Sequence, residues 1–339
     1  MISSFPIYRV EPKDRYGTNT GVDAEGRFYK YWCNHPELGH CLFKAASPDG
    51  FTPRERRWDW SEKVAAELGK LLGLPVARTE LAIGYAQELG GYIDGTLSVD
   101  YTPMNGQVMS CRRFLSIVDP LYEVESLDGL DAYNVENVLH YLQTHSVGLP
   151  LNWHPPNGIK TGADVMVGYL LFDALISATE RRKTTRKLRH DENLELAILE
   201  AGYFLCPTFD HGDSLGVKLL AESRSIDNLQ DPKLFESCWW QNLTIGGQAE
   251  AVEISNIDAF NIAAKLRPMA AIIWLEMLTQ IKTDDIHAIF EQLPAERVDK
   301  VSSRFAIDLL DFNRQNLLSR SERLVIKQTS IDVQEDLVR

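Results

Sequence analysis

At 339 residues and 38.4 kDa the chain has room for about two domains or lobes with a sizeable buried core. Apolar residues make up 44% of it and charged residues 24%, which excludes a disordered, collagen-like or disulfide-scaffold protein. The formal net charge of -13, from 35 Lys plus Arg against 48 Asp plus Glu, argues against nucleic acid or anionic membrane as a general partner, so any site for a polyanion must be local.

The N-terminal stretch MISSFPIYRVEPKDRYG lacks a basic segment followed by an apolar run, and no window of about 18 uncharged apolar residues occurs, so a cytoplasmic protein without a membrane partner is expected. Residues 1–118 read as a strand-bearing lobe. RFYKYW and HCLFKAA are two short strands joined by the HPELG turn, and VARTELAIGY is a third. Between them Ser61 to Leu74 reads as a helix, with Val64, Ala65, Leu68, Leu71 and Leu72 at helical spacing, Ser61 as its cap and Gly73 with Pro75 as its end. From about residue 119 to 339 the pattern is mainly helical, in VENVLHYLQTH, GADVMVGYLLFDALISATE, IDAFNIAAKLRPMAAIIWLEMLTQI, DDIHAIFEQL and SSRFAIDLLDFNRQNLLSRSERL. The exception is LELAILEAGYFLCPTF, two apolar runs flanking Ala201-Gly202 that read as a hairpin inserted between helices.

Five cysteines, Cys33, Cys41, Cys111, Cys206 and Cys238, form no CxxC or zinc-like spacing and read as reduced thiols. Cys33 and Cys41 with His35 and His40 lie on the expected hairpin, which makes a metal cluster there the weaker reading. The parts that carry chemistry lie elsewhere. Lys44 ends an apolar strand, where an ammonium can hold nucleotide phosphates, and Glu62 opens the following helix, where it can pair with that lysine. Asp210 follows the apolar run YFLCPTF, so its carboxylate emerges from a buried strand as a Mg²⁺ ligand would. A strand-end lysine, an early-helix glutamate and a strand-borne aspartate, in that order, are the parts of a kinase-like phosphotransferase.

At this point the sequence resembles the HipA-like kinases, bacterial serine/threonine kinases whose fold is related to phosphatidylinositol 4-kinases. The resemblance spans roughly residues 40 to 320 and rests on CLFK, SEKVAAELGKLLGLPVARTEL, GYLLFDALI, CPTFDHGDSLG, AIIWLEMLTQI, IFEQLP and FAIDLLDFNRQNLL. It implies an α+β, bilobal protein-kinase-like fold that uses ATP and Mg²⁺, with Lys44 on the phosphates, Glu62 orienting Lys44 and Asp210 on the metal. It covers the family's core kinase without the extra N-terminal subdomain of some members, which implies a protein substrate or a separately encoded regulatory partner.

The catalytic segment departs from the family's pattern, N-T-D-R-H-x-x-N-W-G. Aligned without gaps on Ala178 to Lys187, Glu180 stands at the catalytic base and Thr185 at the metal-binding Asn. Glutamate still accepts a proton, but its extra methylene displaces the carboxylate, and a shift of ~1 Å can cost ~100-fold in rate. In a second register, Arg189-His190-Asp191-Glu192-Asn193 keeps Asn193 as the metal ligand and puts Leu188 at the base position. A mixture is favoured, with the helix running on to about Glu180 and the hairpin starting after Asn193. Gly17, Gly21 and Gly26 can form a phosphate-covering loop or an ordinary turn.

The basic run ERRKTTRKLRH reads either as a solvated loop or as a phosphate-binding or docking segment in which Thr184 and Thr185 are open to phosphorylation. Asp213 and Ser214 read as turn and cap residues of a following helix, Trp239, Trp240 and Trp274 as packing residues, and His190 and His211 as turn residues. Three functions remain open: a serine/threonine protein kinase with Glu180 as the altered base, a catalytically impaired pseudokinase acting as a nucleotide-binding or interaction module, and transfer of a different group such as AMP.

Overall fold

The computed structural model describes residues 3–22, 29–47, 57–86, 90–119, 134–178, 194–229, 239–245 and 248–338. Its N-terminal part is a six-stranded sheet of β1 (Ile7–Val10), β2 (Arg15–Val22), β3 (Tyr29–His35), β4 (Gly39–Ala45), β5 (Thr79–Ala86) and β6 (Gly91–Val99), in the order β1-β5-β6-β4-β3-β2. β1 runs parallel to β5 and the other pairs are antiparallel. The expected β3–β4 hairpin forms around Pro36 to Leu38, and Gly39 takes φ +78, the left-handed residue that a three-residue hairpin loop requires. Strand alternation then sorts its side chains. Tyr29, Tyr31, Cys33, Cys41 and Phe43 are buried in a small core on one face, while Lys30, Trp32, Leu42 and Lys44 share the other. β6 can lie against β4 because residue 95 is glycine: a Cβ there would sit 2.3 Å from the Lys44 carbonyl oxygen.

Helix α1 (Trp58–Leu71) packs on β5 and β6 and ends at Gly73, whose φ of +78 stops the helix as the sequence predicts. Its start differs from expectation. Ser61 is one turn inside α1 and fully buried, its hydroxyl bonded to the Trp58 and Gly212 carbonyls, so a tertiary acceptor has displaced the capping role. Lys63, two residues further on, is 2.7 Å from Glu80 and 2.6 Å from Glu67, which fastens α1 to β5.

The remainder begins with β7 (Gln107–Ser110) and α2 (Cys111–Val118), followed by α3 (Val135–Thr144) and α4 (Gly162–Ile176). β7 pairs with β8 (Glu195–Leu199), which forms the expected hairpin with β9 (Gly202–Leu205). A second hairpin, β10 (Trp239–Ile245) with β11 (Gln248–Ile254), was not expected; its signals, alternation on both sides of Gly246-Gly247, lie inside a region read as helical. The stretch expected as one helical run after it divides into α5 (Asn256–Leu266) and α6 (Pro268–Gln280), because Pro268 lacks an N–H and restricts Arg267 before it. α7 (Thr283–Glu291) and α8 (Lys300–Val338) complete the chain.

α4 is the buried axis of the helical part, with every residue from Gly162 to Ile176 in the core. Thr161 and Asp164 form a capping box at its start, and Arg267 pairs with Asp164 at 2.7 Å. The helix does not continue to Glu180. It stops at Ile176, with Ser177 at φ 50, because side-chain donors occupy its final carbonyls: Asn313 donates to the Leu175 carbonyl and the Ser177 hydroxyl at 2.9 Å each, and Asn256 to the Ala178 carbonyl at 2.7 Å. Asp213 and Ser214 likewise precede turns rather than a helix, and Asp213 is buried in an ion pair with Lys218. Among the described residues no helix is long and apolar enough to cross a membrane.

Arg297, before α8, ties the two parts together. Its guanidinium is fully buried, 2.6 Å from Asp59 on α1, 3.1 Å from Asp94 on β6 and 2.9 Å from the Ala82 carbonyl on β5. Removing Arg297 leaves the Asp59 and Asp94 carboxylates to Arg57 alone, and breaking a buried ion pair costs about 3–5 kcal/mol. Arg297→Met is therefore expected to lower the unfolding free energy by about that amount, measured by urea denaturation, whereas the exposed Arg304→Met should change it by less than about 1 kcal/mol.

Candidate functional site

A cleft of about 410 Å³ lies between the large sheet and the β7-β8-β9 sheet. Lys30, Trp32, Leu42 and Lys44 line it from β3 and β4, Thr96 and Ser98 from β6, Glu62 from α1, Val108, Ser110 and Glu195 from β7 and β8, and Phe209 and Asp210 from the segment after β9. Asp100 to Thr102, the connection between the sheets, close one end.

At the other end the structure brings together three residues far apart in sequence. Lys44 donates to the Asp210 carboxylate, and Glu62 lies beside both. Asp210 gets there by main-chain pairing: the Thr208 N–H donates to the Pro75 carbonyl and the Ala77 N–H to the Thr208 carbonyl, both at 2.9 Å, so the segment after β9 is zipped to the exit of α1. The Ser61 hydroxyl holds the Gly212 carbonyl, and His211, 2.8 Å from the Thr208 hydroxyl, packs edge-on against Phe172 at 5.2 Å. Asp210 itself has φ 55, a conformation that Asp tolerates better than most side chains and that concentrates at functional sites.

Charge in this corner is finely balanced. Burial pushes the Glu62 carboxyl up, and repulsion from Asp210 adds to it, while Lys44 and the His211 and Gly212 amides oppose; the result is a pKa of about 7. Burial also disfavours ionised Asp210, but the ammonium groups of Lys44 and Lys30 outweigh it and hold its pKa below the usual carboxylate range. Glu62 Oε2 is buried and, among the described residues, has no hydrogen-bond partner.

Of the other residues singled out from sequence, Glu180, Thr184, Thr185, Asn193, His190, Cys238 and Gly26 lie outside the described residues. Gly17 and Gly21 are in β2, whose register with β3 shifts between Tyr16 and Gly21. Trp239 and Trp274 are fully buried, and Trp274 donates to the Asp164 carbonyl at 2.9 Å. Cys33 and Cys41 face each other across the hairpin, with burial pushing their thiols up to about 12 and about 11.

Two features were not read from the sequence. Lys30 is the direct cross-strand partner of Lys44 and places a second ammonium on the cleft wall; counting residues outward from the HPELG turn would have revealed it. The second is at the connection end, where the Tyr101 hydroxyl donates to the Glu195 carboxylate at 2.6 Å and the Tyr101 ring lies 5.5 Å from Phe209. No local pattern links Tyr101 to Glu195.

No protein-family model matches this sequence, and no curated protein matches it. Solved structures do. The Helicobacter pylori proinflammatory kinase CtkA superposes with a TM-score of 0.59 at 17% identity, covering 96% of this chain and 99% of that one. The chain has a kinase-like fold. Matches also extend to HipA from Shewanella oneidensis, solved with HipB and operator DNA, at TM-score 0.45 and 14% identity over 93% of this chain and 66% of that one. The Golgi casein kinase matches at TM-score 0.46 and 11% identity, covering 96% and 75%. In this bilobal kinase-like fold the six-stranded sheet with α1 forms the smaller lobe and the helical part the larger.

The raised Glu62 pKa has a measurable consequence. The folded protein holds this proton up to about pH 7, whereas the unfolded chain releases it near 4.5, so stability falls as pH rises between those values. Glu62→Gln removes the charge to be buried. It is expected to be more stable than the wild type above about pH 7 and to lose that advantage as pH falls toward 4.5, read from thermal unfolding midpoints across that range.

Proposed function

We propose that this protein binds ATP with Mg²⁺ in the cleft and acts as a serine/threonine protein kinase. The observation that carries the reading is the convergence of Lys44, Glu62 and Asp210 at one end of the cleft of a kinase-like fold. The donor set suits the ligand. Asp210 is an ionised oxygen donor of the kind Mg²⁺ takes, Lys44 and Lys30 supply two ammonium groups for phosphates, and Glu62 Oε2 is, among the described residues, an unused acceptor in the same corner.

Asp210 would hold the metal and Lys44 and Lys30 the phosphates, with Glu62 orienting Lys44. When bound, the metal neutralises charge on the phosphates and favours phosphoryl transfer. The protein's part is positional. The Thr208 zipper fixes the backbone before Asp210, α1 fixes Glu62 against Gly212, and the large-sheet register fixes both lysines. Glu180 is the proposed base and Asn193 the proposed second metal ligand; the clamp of Asn256 and Asn313 on the end of α4 sets where the chain leaves toward them. A protein substrate or separately encoded regulatory partner belongs to the same reading, as does a cytoplasmic setting.

A second reading is a pseudokinase that binds nucleotide as a regulatory module. It is favoured by Ala178 to Lys187, where Glu180 and Thr185 replace the base and metal-binding Asn of the HipA-like pattern. Intact-mass spectrometry after incubation with Mg²⁺ and ATP, with a serine-rich acceptor protein present, separates the two. The kinase reading expects a phosphoryl-sized gain on the protein or the acceptor, reduced at least ~100-fold in Asp210→Asn and Lys44→Met. Nucleotide binding without any gain supports the pseudokinase, and an AMP-sized gain would show transfer of the other group.

A second expected outcome concerns the unforeseen lysine. Lys30→Ala should weaken binding of MgATP by about tenfold and leave adenosine binding unchanged, both read by calorimetry, because a second ammonium acts on phosphates alone.

A further inference from the structure

The connection end of the cleft is built differently from its ionic end. Thr96 is the register partner of Lys44, and Val99 lies three residues further along β6, about 10 Å away at ~3.3 Å per residue, with Tyr101 just beyond. Apolar surface in the cleft comes from Leu42, Val108 and Phe209, whose ring lies beside Tyr101. A ligand whose phosphates reach Lys44 therefore places its base among these apolar groups.

Main-chain donors at this end are largely used. The Val99 N–H is bonded to the Arg78 carbonyl at 2.9 Å, that of Asp100 to the His40 carbonyl at 3.0 Å, and that of Thr102 to the Asp100 carboxylate at 2.8 Å. What the wall offers instead is a carboxylate. Glu195 is fixed through its backbone, paired with Ser110 on one side and accepting the Cys206 N–H at 2.9 Å on the other. Its side chain is bonded by Tyr101, through Oε2. Among the described residues Oε1 takes no hydrogen bond, although Glu195 lines the cleft.

We propose that Glu195, held in place by Tyr101, is the acceptor that reads an exocyclic amine on the nucleobase, making the cleft selective for amino-substituted bases. This rests on the nucleotide-binding reading above and names a specificity residue within it. The chemistry is directional. An amine points an N–H at the carboxylate, whereas a ring carbonyl at the same place points a lone pair at it and is repelled. Glu195 is partly buried and, among the described residues, its side chain takes only the Tyr101 hydrogen bond, so a ligand N–H satisfies the acceptor that is left over.

The test is calorimetric titration of the full chain with Mg²⁺ complexes of two matched pairs: ATP with purine riboside triphosphate, and GTP with inosine triphosphate. Each pair differs by one amine. In at least one pair the amine-bearing member is expected to bind about tenfold or more tightly, and the pair that shows this tells adenine from guanine. Glu195→Ala should bring that pair to within about twofold while leaving the amine-free member's affinity unchanged, which also shows that the variant is folded. Glu195→Gln, similar in shape with a neutral acceptor, should keep part of the preference, so a poorly folded alanine variant does not end the test. Amine preference that survives both substitutions, or no preference in the wild type, overturns the inference and leaves nucleotide binding standing. Failure of all four nucleotides to bind overturns the nucleotide-binding reading and the inference together.

Discussion

An ammonium and two carboxyl groups in one cleft wall are tolerable only if each is held where another offsets its charge, and the placement of Lys44, Asp210 and Glu62 meets that condition. The three come from a strand, a post-strand segment and a helix, so none can shift independently. Lys44 answers Asp210 directly. Glu62, with burial and Asp210 against it, is left near the edge of ionisation. Lys30 adds a second positive charge on the same wall, so the corner carries two cations against one firmly ionised acid and one that titrates around neutrality.

Much of the surrounding structure serves to hold that corner. The main-chain zipper between Thr208 and residues 75–77 ties the Asp210 segment to the exit of α1, and Ser61 ties it again through the Gly212 carbonyl, next to Glu62 and the His211 and Gly212 amides that face it. Arg297 fixes the start of α1 to β5 and β6 through Asp59, Asp94 and the Ala82 carbonyl. Lys63 repeats the tie further along the helix.

The sequence made the corner legible because each residue sits in a local pattern: Lys44 at the end of an alternating strand, Glu62 in the first turns of a periodic helix, Asp210 after an apolar run. The lobed α+β architecture followed from a period of two giving way to a period near 3.6. What escaped reading depends on distant partners. Ser61 looks like a cap because nothing nearby reveals the Gly212 carbonyl that claims its hydroxyl. The end of α4 looks like Glu180 because the asparagines that stop it at Ile176 come from residues 256 and 313. The β10–β11 hairpin and the break at Pro268 were legible, through Gly246-Gly247 and the proline, and were masked by apolar spacing that suits a helix equally well. The Tyr101–Glu195 bond joins residues 94 apart, and no local pattern carries it.

The most direct test of the central claim is a crystal structure of the full chain with Mg²⁺ and a non-hydrolysable ATP analogue at saturating concentration. The account predicts the metal on the Asp210 carboxylate, the phosphates against Lys44 and Lys30, and the direct Lys44–Asp210 bond opened to admit them. An empty cleft at saturation, or a nucleotide bound elsewhere with the Lys44–Asp210 bond intact, would contradict it.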